Sequence, residues 1–276
     1  MSPFVGEVIG TMLIMIFISG AIGTVVLTKS KANGSGWMVI VFGVGLGVSI
    51  AIYAVGDSSG AHLNPAITLA LASIGLFEWS KVPLYILSQL IGAALGSTIA
   101  YLAYYSHWEK TKDAELKLVF FATVPAIPNR FANFMTEMVA TFVFVFAILA
   151  IGVNKFTDGL NPLIIGFLLV AIGCALGGST GYAINPARDL GPRIMHALLP
   201  IPGKGYSGWS YAWIPVVGPI CGGVLGAMTY EGLYNGKALI TLITLIIVIF
   251  VLVIVSHSLQ SEKTSTSNNP KEIRTS

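Results

Sequence analysis

Charge is what this chain has least of. Asp, Glu, Lys and Arg make up 10% of its 276 residues, against about 25% in ordinary soluble domains. A soluble fold of this composition would need nearly every helix buried on all sides. Cysteine is scarce as well: there are two, Cys174 and Cys221, both inside apolar stretches. They suggest neither a disulfide framework nor a zinc site, and packing is the role expected of them. The four histidines are scattered, the net charge is +3 and there is no basic run, which leaves no footprint for nucleic acid. No Ser/His/Asp set is gathered in one place, no phosphate-cradling glycine loop follows a strand, and no His/Cys group has metal-ligand spacing. An enzyme, a cofactor and a bound metal are therefore not expected.

Apolar runs stand where charge is missing. Hydrophobic residues are 55% of the chain. They gather into Val8–Val26, Trp37–Val55, Val82–Tyr105, Val139–Val153, Leu163–Ser179, Tyr211–Tyr230 and Ala238–Val255. Most approach the roughly 20 residues that cross a ~30 Å hydrocarbon core. The first is too long for a removable signal peptide and lacks the basic leader and small-residue cleavage site. The fold class predicted is an all-α protein of the lipid bilayer.

Between these runs Asn-Pro-Ala occurs twice, at Asn64-Pro65-Ala66 and Asn185-Pro186-Ala187. Each copy opens a short helical pattern, Ile67–Ile74 and Asp189–Leu199, too short or too charged to span. Asn can cap the free N–H groups of a helix start and still donate through its NH2. Pro in the first turn costs nothing, because its missing N–H would be unpaired anyway. The surroundings repeat too: Phe4-Val5-Gly6-Glu7 opens one half and Phe134-Met135-Thr136-Glu137 the other. The repeats are read as residues 1–110 and 131–234, joined by a polar linker from about Ser106 to Arg130. Three spans per half is an odd number, so the second copy enters the membrane from the opposite face. The two short helices then meet near the midplane, which is allowed only where protein or a water-filled cavity surrounds them. Two facing N-termini, each carrying about half a positive charge, predict a pore for small uncharged solutes. Gly43/Gly47, Gly92/Gly96 and Gly222/Gly226, each pair spaced by four, are candidates for close helix contact.

The segments Ser59-Gly60-Ala61-His62-Leu63-Asn64-Pro65-Ala66 and Gly181-Tyr182-Ala183-Ile184-Asn185-Pro186-Ala187-Arg188-Asp189 resemble the two signatures of the aquaporin (major intrinsic protein) family. Glu7 and Glu137 match that family's intramembrane glutamates, and the likeness covers about residues 4–234. It implies an inverted repeat of six transmembrane helices plus two re-entrant half-helices. It also implies an N-terminus inside, a plasma-membrane location and a homotetramer with one pore per subunit. The N-inside orientation comes from the resemblance, because the lysines do not follow the positive-inside bias. Asp189 after the motif arginine, and Pro215-Val216, resemble the glycerol-facilitator branch.

By the same resemblance Arg188 stands at the narrowest point, and Val44, Gly173 and Tyr182 complete the filter. Glycine removes a side chain from the ring, Tyr182 supplies an apolar wall with a polar tip, and Val44 is smaller than the tryptophan of well-known glycerol facilitators. The solutes implied are glycerol, dihydroxyacetone, water, hydrogen peroxide and undissociated lactic acid. A snorkelling Arg188 and a water- or peroxide-selective pore are the alternatives. Asp189 is expected to pair with a neighbour, and Arg193 to face the outer surface or a loop.

Glu7 and Glu137 cost about 2.5–3.5 kcal/mol each on insertion scales. Accepting backbone N–H bonds from a re-entrant loop is the structural role; a proton-coupled transport site is the rival. His62 braces its loop, with a pH gate as the alternative. The run Ala238–Val255 exceeds what six spans need. It reads as an extra apolar helix over residues 235–256, either a seventh span or a helix lying along the bundle, followed by a disordered tail at 257–276.

Overall fold

The computed structural model describes residues 1–236 and 238–267, apart from the side chains of 238 and 257–267. The chain forms two compact units, Met1–Met228 and a smaller one from Thr229 onward.

The first unit is built from helices α1 (Pro3–Val26), α2 (Trp37–Ser59), α3 (Pro65–Ser73), α4 (Val82–Ala103), α5 (Ala114–Phe121), α6 (Arg130–Gly152), α7 (Asn161–Leu176), α8 (Pro186–Leu198) and most of α9 (Ile214–Tyr234). Local chemistry sets the ends. The side chains of Ser2 and Asn129 accept N–H bonds at the starts of α1 and α6. Gly60, at φ 78°, closes α2 in the left-handed region that glycine enters without strain. At about 1.5 Å per residue, the 24 residues of α1 and 23 each of α2 and α6 exceed a ~30 Å core. The 16 residues of α7 do not reach that length when taken alone.

The polarity of this unit is inverted relative to a soluble protein. Phe42, Leu46, Ile50, Leu84, Leu87, Leu95 and Phe167 face outward, while Glu7, Gln89, Glu137, Asp189 and Arg193 are buried. Outward hydrocarbon and inward charge suit a lipid solvent, in which ionisable groups must find protein partners. The two cysteines belong to the outer face: both are exposed free thiols, Cys174 lying 3.8 Å from the Met38 sulfur. Any packing role expected of them is therefore not in the interior of this unit. An outer position accepts any small apolar residue, so an apolar run does not reveal which of its members point inward.

Glycine contacts hold the helices close. Gly92 and Gly96 of α4 lie against the backbone of Val8 and Met12 in α1, and Gly222 and Gly226 of α9 lie against Met138 and Phe142 in α6. Gly43 and Gly47 face Ala21 and Phe17, so all three spaced pairs meet a neighbouring helix. A Cβ on Gly45 or Gly166 would come 2.5 or 2.6 Å from the other's carbonyl, which brings α2 and α7 backbone to backbone.

The stretch read as a linker contains α5, started by Asp113, whose carboxylate accepts the N–H groups of Glu115 and Leu116 at 2.8 and 3.4 Å. Trp108, Phe120 and Phe121 pack with Tyr101, Leu27 and Ile201 into a second apolar cluster there. Lys117 is buried beside them and donates to the carbonyls of Pro202 and Gly203.

In the smaller unit, Asn235 and Gly236 form a turn before α10 (Ala238–Ser267). Its segment Leu239–Ser256 is long and apolar enough to cross a membrane. The helix continues eleven residues past the expected boundary at 256. The remainder of the expected tail, from residue 268, lies outside the described residues.

Candidate functional site

The two Asn-Pro-Ala segments come together. Asn64 and Asn185 cap α3 and α8: Asn64 Oδ1 accepts the Ala66 N–H at 2.9 Å, and Asn185 Oδ1 accepts those of Ala187 and Arg188 at 3.0 and 3.2 Å. Each side-chain amide then donates across to the other loop. Asn64 Nδ2 bonds the Ile184 carbonyl at 2.9 Å, and Asn185 Nδ2 bonds the Leu63 carbonyl at 2.8 Å. Pro65 and Pro186 begin the helices, with Ala66 and Ala187 fully buried behind them.

Both loops reach these positions through the same backbone. Gly60, Ala61 and Leu63 have φ of 78, 49 and 53°; Gly181, Tyr182 and Ile184, at matching offsets, have 83, 38 and 42°. Left-handed conformations at four non-glycine residues need external support, and the buried glutamates provide it. Glu137 Oε1 accepts the Ala183 N–H at 2.9 Å and Oε2 that of Ile184 at 2.8 Å. Glu7 Oε1 accepts from His62 N at 2.9 Å and Ser59 Oγ at 2.8 Å, and its Oε2 accepts from Leu63 N and Gln89 Nε2, both at 2.7 Å. His62 Nδ1 lies 3.1 Å from Thr68 Oγ1, and its ring packs edge-on against Phe77, 4.6 Å between centroids. Gln89 and Thr68 carry no motif that would have singled them out, since only folding brings Gln89 to Glu7.

Around this junction lies a cavity of about 430 Å³, walled by Asn64, Asn185, Arg188 and both loops. Its apolar side comes from Ile14, Ile18 and Ile22 of α1, a stripe of Trp37, Ile40, Val44, Val48 and Ile52 on α2, and Phe144 and Ile148 of α6. The repeat is visible here: Phe144 and Ile148 stand 130 residues after Ile14 and Ile18, as Glu137 does after Glu7.

Arg188 is buried in the wall and donates through Nη1 to the Phe121 carbonyl at 3.3 Å. Val44 and Tyr182 line the same cavity. Gly173 acts at one remove. A Cβ there would lie 2.6 Å from Val41 Cγ1 and 2.9 Å from Tyr182 Cζ, so the Tyr182 ring already takes the room that glycine leaves.

Asp189 pairs as expected, and of the two places expected of Arg193 the structure shows the loop, not the surface. Arg193 is fully buried; its Nη2 and Nε lie 2.7 and 2.8 Å from Asp189 Oδ1. It also donates to the carbonyls of Thr123, Ser207 and Gly208, while Asp189 Oδ2 accepts from the Thr123 N–H and hydroxyl at 2.8 and 2.6 Å. Facing loops that fold over the half-helix, the arginine becomes an interior clamp. The i, i+4 spacing of Asp189 and Arg193 was the available sequence signal. Pro215 and Val216 sit in the first turn of α9, Pro215 buried and Val216 half-buried.

A sequence model of the family described as Major intrinsic protein matches residues 1–230. The chain belongs to that family. It is 61% identical over 236 residues to the glycerol uptake facilitator protein of Bacillus subtilis (strain 168), covering 86% of each chain. It is 54% identical over 234 residues to a probable glycerol uptake facilitator protein of Thermotoga maritima, covering 85% of this chain and all of the relative. The X-ray structure of the aquaglyceroporin from Plasmodium falciparum superposes with a TM-score of 0.72 at 29% identity, over 83% of this chain and 94% of that one. As a member of the major intrinsic protein family, the chain is a multi-pass membrane protein of aquaporin-like fold. In it the cross-bonded asparagines join the two half-helices.

Proposed function

We propose that this protein is a passive channel for small uncharged solutes across the plasma membrane, glycerol first among them. The observation that carries this reading is the meeting of two asparagine-capped half-helices in the wall of one cavity. Each amide spends one hydrogen on the opposite loop, and its second can reach a solute hydroxyl. The side chains that α1 and α2 bring to the same cavity are all apolar. A polyol has a hydroxyl edge and a carbon edge, and this lumen offers a partner for each. The relatives named as glycerol uptake facilitators point to the same solute class.

Arg188, Tyr182 and Val44, with Gly173 behind Tyr182, form the selectivity filter in this reading. Dihydroxyacetone, water, hydrogen peroxide and undissociated lactic acid share the path. Exclusion of protons and cations by opposed half-helix dipoles is the general account of aquaporin-type pores, and α3 and α8 supply those dipoles here. Glu7 and Glu137 are loop supports in this reading: every carboxylate oxygen accepts a backbone N–H from a re-entrant loop, which favours that role over proton carriage. The assembly is a homotetramer with the N-terminus inside.

The test is stopped-flow light scattering on liposomes holding the purified full-length chain, with water, glycerol, dihydroxyacetone and lactic acid. Glycerol influx should rise in proportion to concentration and need no pH gradient. Flux that saturates at low concentration and requires a pH gradient would replace the channel with a coupled transporter. Rapid water flux without glycerol flux would replace it with a water-selective pore.

A further inference from the structure

We infer that Trp37, in the cavity wall at the start of α2, is a specificity-determining residue that sets the size cut-off of this pore; this rests on the reading of the cavity as the solute path. Trp37 is the first residue of α2 and belongs to the stripe that lines the lumen. It stands seven residues before Val44, two helical turns or about 10.5 Å along the axis, on the same face. Every other member of that stripe is Val or Ile, so the one large planar group on this wall is the indole.

The indole is held in place. Its Nε1–H donates to the Gly173 carbonyl at 2.9 Å, tying the start of α2 to α7. Its ring meets that of Tyr182 edge to face, with centroids 5.7 Å apart at 72°, an arrangement that fixes aromatic pairs beyond simple burial. Gly177, one turn after Gly173, completes the seat: a Cβ there would lie 2.8 Å from Trp37 Cζ2 and 2.8 Å from Tyr182 Cδ1. Two glycines a turn apart thus make a slot for two aromatic rings. The rings form a rigid corner in a wall that also contains Thr123 and Arg188. Val44, two turns on, is buried and brings a much smaller side chain to the same wall. A solute that clears the aromatic corner meets only aliphatic side chains along the rest of α2.

A solute must present a narrow carbon edge to this corner, so unbranched three-carbon polyols pass and longer ones are held back. The experiment uses the full-length protein in liposomes and measures glycerol and the five-carbon polyol xylitol by stopped flow. Trp37→Ala should raise the xylitol-to-glycerol permeability ratio at least fivefold, and Trp37→Phe should restore it toward the unsubstituted value. Where Trp37→Ala yields no folded protein, Trp37→Leu serves, with a rise of at least threefold expected. A ratio within twofold of the original in the Ala or Leu variant, in a protein that still conducts glycerol, overturns the role given to Trp37. An unsubstituted protein that conducts no solute overturns the pathway itself, and Trp37 falls with it.

Discussion

Replacing Glu137 by Gln removes one charge and one acceptor while leaving the shape of the side chain almost unchanged. Both carboxylate oxygens accept backbone N–H groups, from Ala183 and Ile184. Backbone donors cannot turn away. Whichever way the new amide points, its NH2 opposes one of them. The variant therefore loses at least one hydrogen bond to a charged acceptor, worth about 1.5–3 kcal/mol. The loop has little to spare, because Tyr182 and Ile184 sit at φ of 38 and 42°, and such residues store about 1–3 kcal/mol each. A loss of about 1.5–3 kcal/mol shifts the equilibrium between held and relaxed loop roughly tenfold to over a hundredfold. Relaxation moves Tyr182 and withdraws the Ile184 carbonyl from Asn64. Glycerol flux per protein in liposomes should fall at least fivefold, with helix content by circular dichroism unchanged. Full flux and unaltered solute ranking in Glu137→Gln would refute the claim that this carboxylate holds the loop in its conducting form.

Three further outcomes are expected. Asn185→Asp keeps the cap acceptor for Ala187 but loses the donor to the Leu63 carbonyl and puts negative charge beside two helix N-termini. Proton or cation leak, followed with a pH-sensitive dye inside liposomes, should rise above the unsubstituted level. Arg193→Met leaves Asp189 buried without its cation. Breaking such a pair costs about 3–5 kcal/mol, so the denaturation midpoint in detergent should drop by several degrees, and adding Asp189→Leu should recover part of it. Val44→Trp puts a second indole two turns along α2 from Trp37 and should lower xylitol and dihydroxyacetone flux relative to glycerol; unchanged ratios would remove Val44 from the filter.

Much of this was legible before any coordinates. The apolar runs predicted the spans because a helix needs about 20 consecutive apolar residues to cross hydrocarbon. The paired Asn-Pro-Ala segments and the odd number of spans per half predicted two half-helices meeting from opposite sides. Asn64 and Asn185 do meet, and Glu7 and Glu137 do receive the loop N–H groups. These features were readable because each is written in a contiguous stretch of chain, by period, cap or repeat.

What tertiary structure alone decided has no local signature. Gln89 completes the shell of Glu7 from 82 residues away, and Trp37 bonds Gly173 across 136. Arg193 meets its loop partners from a fully buried position, and the two cysteines are exposed on their helices. The physical reason is the same in each case. Sequence periodicity states which residues share a helix face, but only packing settles whether that face looks at lipid, at a neighbouring helix or at the lumen.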